Sequence, residues 1–246
     1  MSSSYTVQDT LNFVQPIVSN LSLTLNTSQE PARTIANTLL TAFYGPPFVW
    51  EHNRATATWT CVAGTTDYPL GTNISPGFGF LESAYITVPN DGSSDANRIF
   101  QLSIQRSLEK TSDQQRPAKI SVFSDNGTII TIRLFNVPDK VYSGVATYQQ
   151  QPTLIASNAT LSTTFWPMPD KYIHIVNYGF LTLAMLYAND PRWVELNQKF
   201  VAHLLGAQEG LDENQKNLFL QSWLQFTGSM VGVGGKTTQG IQARGA

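Results

Sequence analysis

The sequence predicts an α+β protein: a discontinuous helical bundle (residues 1–54 and 166–227), an inserted antiparallel β-sandwich or barrel (55–165), and a flexible C-terminal arm (228–246). Three observations carry this reading. Apolar residues recur with helical period at both ends of the chain, and they recur with period two through the middle. Two proline-rich stretches, GPPFVW and FWPMP, bracket that middle block as hinges.

The first element is a short helix in TVQDTLNFVQ, capped by Thr6 and stopped or kinked by Pro16, which has no N–H to donate. A second helix is expected to start at an N-cap on Ser28. Pro31 sits in its first turn, and Ile35, Leu39, Ala42 and Phe43 line one face. Gly45 stops it, and Pro46 and Pro47 are expected to hold the chain extended as a rigid exit. From Ala55 the period becomes two. Ala55, Ala57, Trp59, Cys61 and Ala63 alternate with Thr56, Thr58, Thr60 and Val62, which is a strand pattern. Further strands are expected at 84–88, 100–104, 119–136 and 141–149, the third as a hairpin turning at Asn126-Gly127.

Helical period returns after WPMPD. In residues 171–188, Ile173, Val176, Phe180, Leu183, Ala184 and Tyr187 share a face, and the opposite face is apolar too. Such a helix must be enclosed on most sides, by its own domain or by a neighbouring subunit. Asp190-Pro191 opens the next helix, with Trp193, Leu196, Phe200 and Leu204 inward and Gly206 and Gly210 ending it. Asp212 caps a last helix bearing Leu218, Phe219, Trp223 and Phe226. The remainder, GSMVGVGGKTTQGIQARGA, is too glycine-rich to be expected as helix.

Composition narrows the function. Charged residues are only 13% and the net charge is −2, so no globally basic surface exists to grip nucleic acid, and the polar surface must come largely from Asn, Gln, Ser and Thr. The single cysteine, Cys61, excludes an intrachain disulfide and a thiolate metal cluster, and a reducing cytoplasm is expected for the newly made chain. MSSSYTVQDT lacks the features of a secretory signal. The longest nearly apolar run, IVNYGFLTLAMLYA, is shorter than the roughly 20 residues a membrane span needs, and no membrane partner is expected. Five Asn-X-Ser/Thr triplets, at Asn20, Asn26, Asn73, Asn126 and Asn158, barely exceed the roughly 3 that this Ser/Thr content gives by chance.

Chemistry-bearing motifs are sparse. His52, His174 and His203 are far apart in sequence and none stands at metal-ligand spacing; His174 and His203 are read as polar positions on helices and His52 as an exposed turn residue. GxSxG is absent and carboxylates are too sparse to single out an acid–base pair. GVGGKTT ends like a phosphate-binding loop, but Met230 stands where the first glycine belongs. The reading is therefore of a protein with no catalytic, metal or cofactor residues. After Glu213 no acidic residue occurs, and Lys216, Lys236 and Arg244 give the last 33 residues a charge of +3, a positive character suited to an acidic partner surface or DNA.

The stretch AFYGPPFVWEHNR (42–54) gathers Phe43, Tyr44, Phe48 and Trp50 where the chain leaves the second helix. Two readings stand open: the rings close the helical core, or Phe48, Trp50 and Arg54 reach into a neighbouring subunit, where aromatics and arginine are the usual anchors. In either case the knot is expected to set the angle between the two domains and to lie beside the return crossing FWPMP.

EPARTIANTLLTAFYGPPFVWEHNR (30–54), TYQQQPTLI (147–155) and WPMPDKYIHIVNYGFLTLAMLYANDPRW (166–193) together resemble the head-to-tail adaptor, or connector, proteins of tailed bacteriophages. The resemblance frames residues 7 to 227. It implies a structural protein of the virion neck, assembled as a ring, commonly of twelve copies, beneath the portal protein and above a downstream tail protein, through which double-stranded DNA passes. It also implies a C-terminal extension that docks on the portal, which would place Val233, Lys236, Ile241 and Arg244 at that contact. Ring closure needs two different faces per subunit. The helix 171–188, with Tyr172, Tyr178 and Met185, is the candidate for one of them. Competing readings are another tail component (stopper, tail-tube or fibre-attachment protein) and a β-sandwich ligand-binding module.

Overall fold

The computed structural model describes residues 4–18, 30–70, 77–90, 92, 94–126, 129–157, 168–208 and 210–234, the last six of these by their backbone. The protein is α+β. Its helices are α1 (Val7–Val14), α2 (Ala32–Tyr44), α3 (Ile173–Tyr187), α4 (Trp193–Gly206) and α5 (Glu213–Gly234). Between α2 and α3 come β1 (Arg54–Cys61), β2 (Asp67–Pro69), β3 (Phe78–Thr87), β4 (Ile99–Gln101), β5 (Ser103–Ile104), β6 (Lys119–Asp125), β7 (Ile130–Phe135) and β8 (Tyr142–Gln150). The chain divides into two compact units, Met1–Phe43 with Thr153–Ala246, and Tyr44–Pro152.

In the helical unit the caps are local and explicit. Thr6 and Asp9 form a capping box on α1: the Asp9 N–H donates to Thr6 Oγ1 (3.3 Å) and the Thr6 N–H to Asp9 Oδ2 (2.8 Å). Asp212 and Gln215 repeat the device at α5, at 2.8 and 3.0 Å. Helix α2 opens at Ala32. Ser28 lies outside the described residues, and the Glu30 carboxylate accepts the Thr34 N–H at 3.1 Å while bonding Arg33. Asp190 serves a turn ahead of α4, accepting the Arg192 N–H at 3.0 Å, so the helix opens at Trp193 and not at Pro191.

The C-terminal boundary is a correction. Helix α5 continues to Gly234, through residues expected to be non-helical. Glycine costs about 1 kcal/mol in a helix interior but does not forbid it, and a helix already nucleated gains one hydrogen bond for each residue added. Val233 is therefore on this helix; Lys236, Ile241 and Arg244 lie outside the described residues.

Helix α3 is the centre of the unit, packing with α1, α4 and α5, and Ile175 through Leu186 are buried except for the half-buried Asn177 and Tyr178. Gly179 lets its neighbours close in. A Cβ there would stand 2.5 Å from a Leu39 methyl and 2.7 Å from the Phe200 ring. The enclosure read from the all-round apolar pattern is thus supplied by this chain's own helices.

The second unit holds two four-stranded sheets, in the orders β1-β8-β3-β4 and β2-β7-β6-β5. All pairs are antiparallel save β5 with β6, because the chain leaves β5 and returns through 105–118 to run beside it in the same direction. The single strand expected at 100–104 is two. Buried Leu102 marks the break, its N–H bonded to Ala84 of β3 (2.8 Å), after which β5 joins the other sheet. One hydrophobic cluster draws on both sheets, with Ala57, Trp59, Cys61, Ile86 and Tyr148 from one and Tyr68, Ile120, Ile132 and Leu134 from the other. In β1 the threonines at 56, 58 and 60 are exposed and Ala57, Trp59 and Cys61 buried, as period-two alternation demands.

Register is enforced at one position above others. Trp59 lies opposite Gly144, and a Cβ on that glycine would fall 2.1 Å from the indole. The Gly144→Ala chain is expected to lose about 1–3 kcal/mol of stability through overpacking, measured by urea unfolding.

Candidate assembly surfaces

The exit from α2 is a tight turn. The Phe48 N–H donates to the Gly45 carbonyl at 3.2 Å, so the expected extended spacer is instead a reversal. Phe43 ends the helical unit, its ring edge-on to Tyr172 at 6.3 Å. The other rings belong to the β unit and pack on one another: Phe48 with Trp50 at 6.4 Å, Trp50 with His52 at 5.7 Å, and Tyr44 with His52 at 6.1 Å. His52, expected as an exposed turn residue, is half-buried in this stack.

Exposure separates the candidate anchors. Phe48 is 0% and Trp50 1% exposed, so neither ring is available to a neighbour. Met185 is likewise enclosed, at 1%. Arg54 is exposed, and Tyr172 and Tyr178 are half-buried. Lys171 holds its ammonium 4.8 Å from the Tyr172 ring, and Tyr178 stacks on His203 at 5.5 Å.

The segment that carries these rings also bonds a buried polar group. Gln149 lies in β8 next to the inward-facing Tyr148, so alternation turns it to the opposite face of the sheet, yet it is 0% exposed. Its amide is met on both sides. The Trp50 N–H donates to Gln149 Oε1 at 3.0 Å, with Asn53 Nδ2 at 3.4 Å, and Gln149 Nε2 donates to Glu82 Oε2 at 2.8 Å. Asn53 also donates to the Gln150 carbonyl at 2.8 Å. Arg54 closes the chain of contacts by pairing with Glu82, Nε to Oε2 at 2.8 Å. This bond holds the Arg54 guanidinium above its ordinary pKa. Gly79 of β3 admits the close approach of the β8 backbone, since a Cβ there would fall 2.7 Å from the Gln149 main-chain oxygen.

The WEHNR and TYQQQ stretches, far apart in sequence, thus meet in one network. The sequence singled out Trp50 and Arg54 but not Asn53, Glu82 or Gln149. The repeated amides of residues 149–151 were the only visible signal, and a glutamine in a strand reads as surface. Asn197 on α4 was missed for the same reason; it is buried and accepts the Trp223 indole N–H at 2.6 Å, where Trp223 packs on Phe200 and Phe219.

The family model of the SU10 adaptor protein matches residues 7–221, and the chain belongs to that family of phage head-to-tail adaptors. The match ends before the C-terminal arm. No curated protein shows significant similarity to the sequence. Among the described residues no helix is long and apolar enough to cross a membrane.

Removing the central amide leaves the Trp50 N–H, Asn53 and Glu82 each short of a buried partner. The Gln149→Leu chain is expected to be less stable by about 2–4 kcal/mol, read from denaturant melts. Thr147→Leu, at a half-buried position of the same strand outside the network, is the control and should cost far less.

Proposed function

We propose that this chain is the ring-forming head-to-tail adaptor of a tailed phage. Copies close, commonly twelve, beneath the portal protein, contact a downstream tail protein below, and surround the path of the double-stranded DNA. The observation that carries this reading is the family match over residues 7–221. The supporting chemistry is a low charge density and, from Asn217 to Gly235, a stretch with no acidic or basic side chain, because a surface that gripped phosphates would hold the genome back.

In this reading the helical segments form a discontinuous bundle, and the two sheets sharing one cluster form a sandwich. Arg54, Tyr172 and Tyr178 are the candidates for copy-to-copy contact, since they keep exposed surface. Phe48, Trp50 and Met185 act behind it as support. The arm beyond α5, with Lys236, Ile241 and Arg244, docks on the portal, and Val233 on the last turn of α5 leads into it.

The test is co-expression with the portal of the same phage, followed by affinity capture on the portal and electron microscopy. Closed rings on the portal are expected. A chain cut after residue 234 should fold normally and be captured at least about tenfold less well, a loss of roughly 1.4 kcal/mol. A chain that stays monomeric and never binds the portal overturns the proposal.

A further inference from the structure

Two histidines on the helical unit are not used by the reading above. His174, in the first turn of α3, and His203, in the last turn of α4, are distant in sequence, but both are exposed and their ring centres lie 5.3 Å apart. Tyr178, one turn along α3 from His174, stacks on His203 with ring centres 5.5 Å and planes 11° apart. Neither imidazole makes a hydrogen bond to another described residue, so their ring nitrogens remain open to an added ligand. The nearest cation on α4, Lys199, is held by Glu195 at 2.7 Å.

We infer that His174 and His203 form a two-imidazole site for a divalent late transition metal, with zinc the natural occupant. The spacing is the argument. Two imidazoles bound through one nitrogen each at about 2.0–2.1 Å to a tetrahedral ion stand with ring centres about 5.2 Å apart. The observed separation is 5.3 Å, which matches that spacing. Imidazole pairs select zinc, nickel and copper over magnesium and calcium, which take oxygen. Among the described residues no third histidine, cysteine or carboxylate joins them. The remaining positions of the ion therefore face outward, open to water or to a donor on whatever surface packs against α3 and α4.

The experiment is a calorimetric titration of zinc chloride into the untagged, chelator-treated full chain near neutral pH, with magnesium chloride as the comparison. One zinc per chain and no magnesium binding are expected. Either His174→Ala or His203→Ala should weaken the zinc affinity by at least the roughly 10–100-fold that loss of even an outer partner costs a metal site. In nitrogen-labelled histidine spectra zinc should shift two imidazoles and leave the third, His52, unmoved. Because both residues are exposed, circular dichroism melts of the variants should match the parent, which separates lost binding from lost fold. Absence of saturable zinc binding, or binding that persists in both variants, overturns the site.

Discussion

The amide of Gln149 is the constraint from which the β unit is organised. A glutamine on the outer face of a strand costs nothing in water, but once covered it must find partners or lose about 1–3 kcal/mol for each group left unsatisfied. Its carbonyl oxygen is claimed by the Trp50 N–H and its amino group by Glu82. The chain leaving α2 is therefore brought back across β8 by the Gly45–Phe48 turn, and Phe48 and Trp50 are carried into the interior with it. Arg54 then stands opposite Gln149 as the first pair of the β1–β8 ladder. A one-residue slip would turn every side chain of β1 to the wrong face. With the first pair held, Trp59 arrives at Gly144, the position in β8 with room for an indole.

The same logic of enclosure governs the helical unit with different means. There the centre is apolar, and the close approach is granted by Gly179, where Leu39 of α2 and Phe200 of α4 converge on α3. A helix buried this completely by its own chain has little apolar surface left for neighbours. Around it Tyr172 and Tyr178 keep partial exposure, and His174 and His203 are exposed.

Local rules were readable in the sequence and distant ones were not. Thr6 with Asp9, and Asp212 at the head of α5, are caps whose partners sit three residues away. Alternation from Ala55 to Cys61 gave β1 its faces directly. By contrast, Trp50 and Gln149 are separated by 99 positions, and no periodicity links them. The break at Leu102 was hidden because an alternating run of five residues looks the same whether it stays in one sheet or crosses to the second. Residues 228–234 were misread through glycine propensity, a local cost outweighed by the cooperativity of a helix already formed. WEHNR and TYQQQ lie within two of the three stretches that carry the resemblance to phage adaptors, and their contact gives a physical reason for those two to occur together.

The claim that the exit segment is a folded part of the β unit, and not a loose tether, is tested most directly by native-state hydrogen exchange at the Trp50 amide. Bonded to a buried Gln149, that N–H should exchange as slowly as the paired amides of β1 and β8, opening only with the unit as a whole. Exchange at the rate of an exposed loop amide, with β1 and β8 still protected, would contradict it.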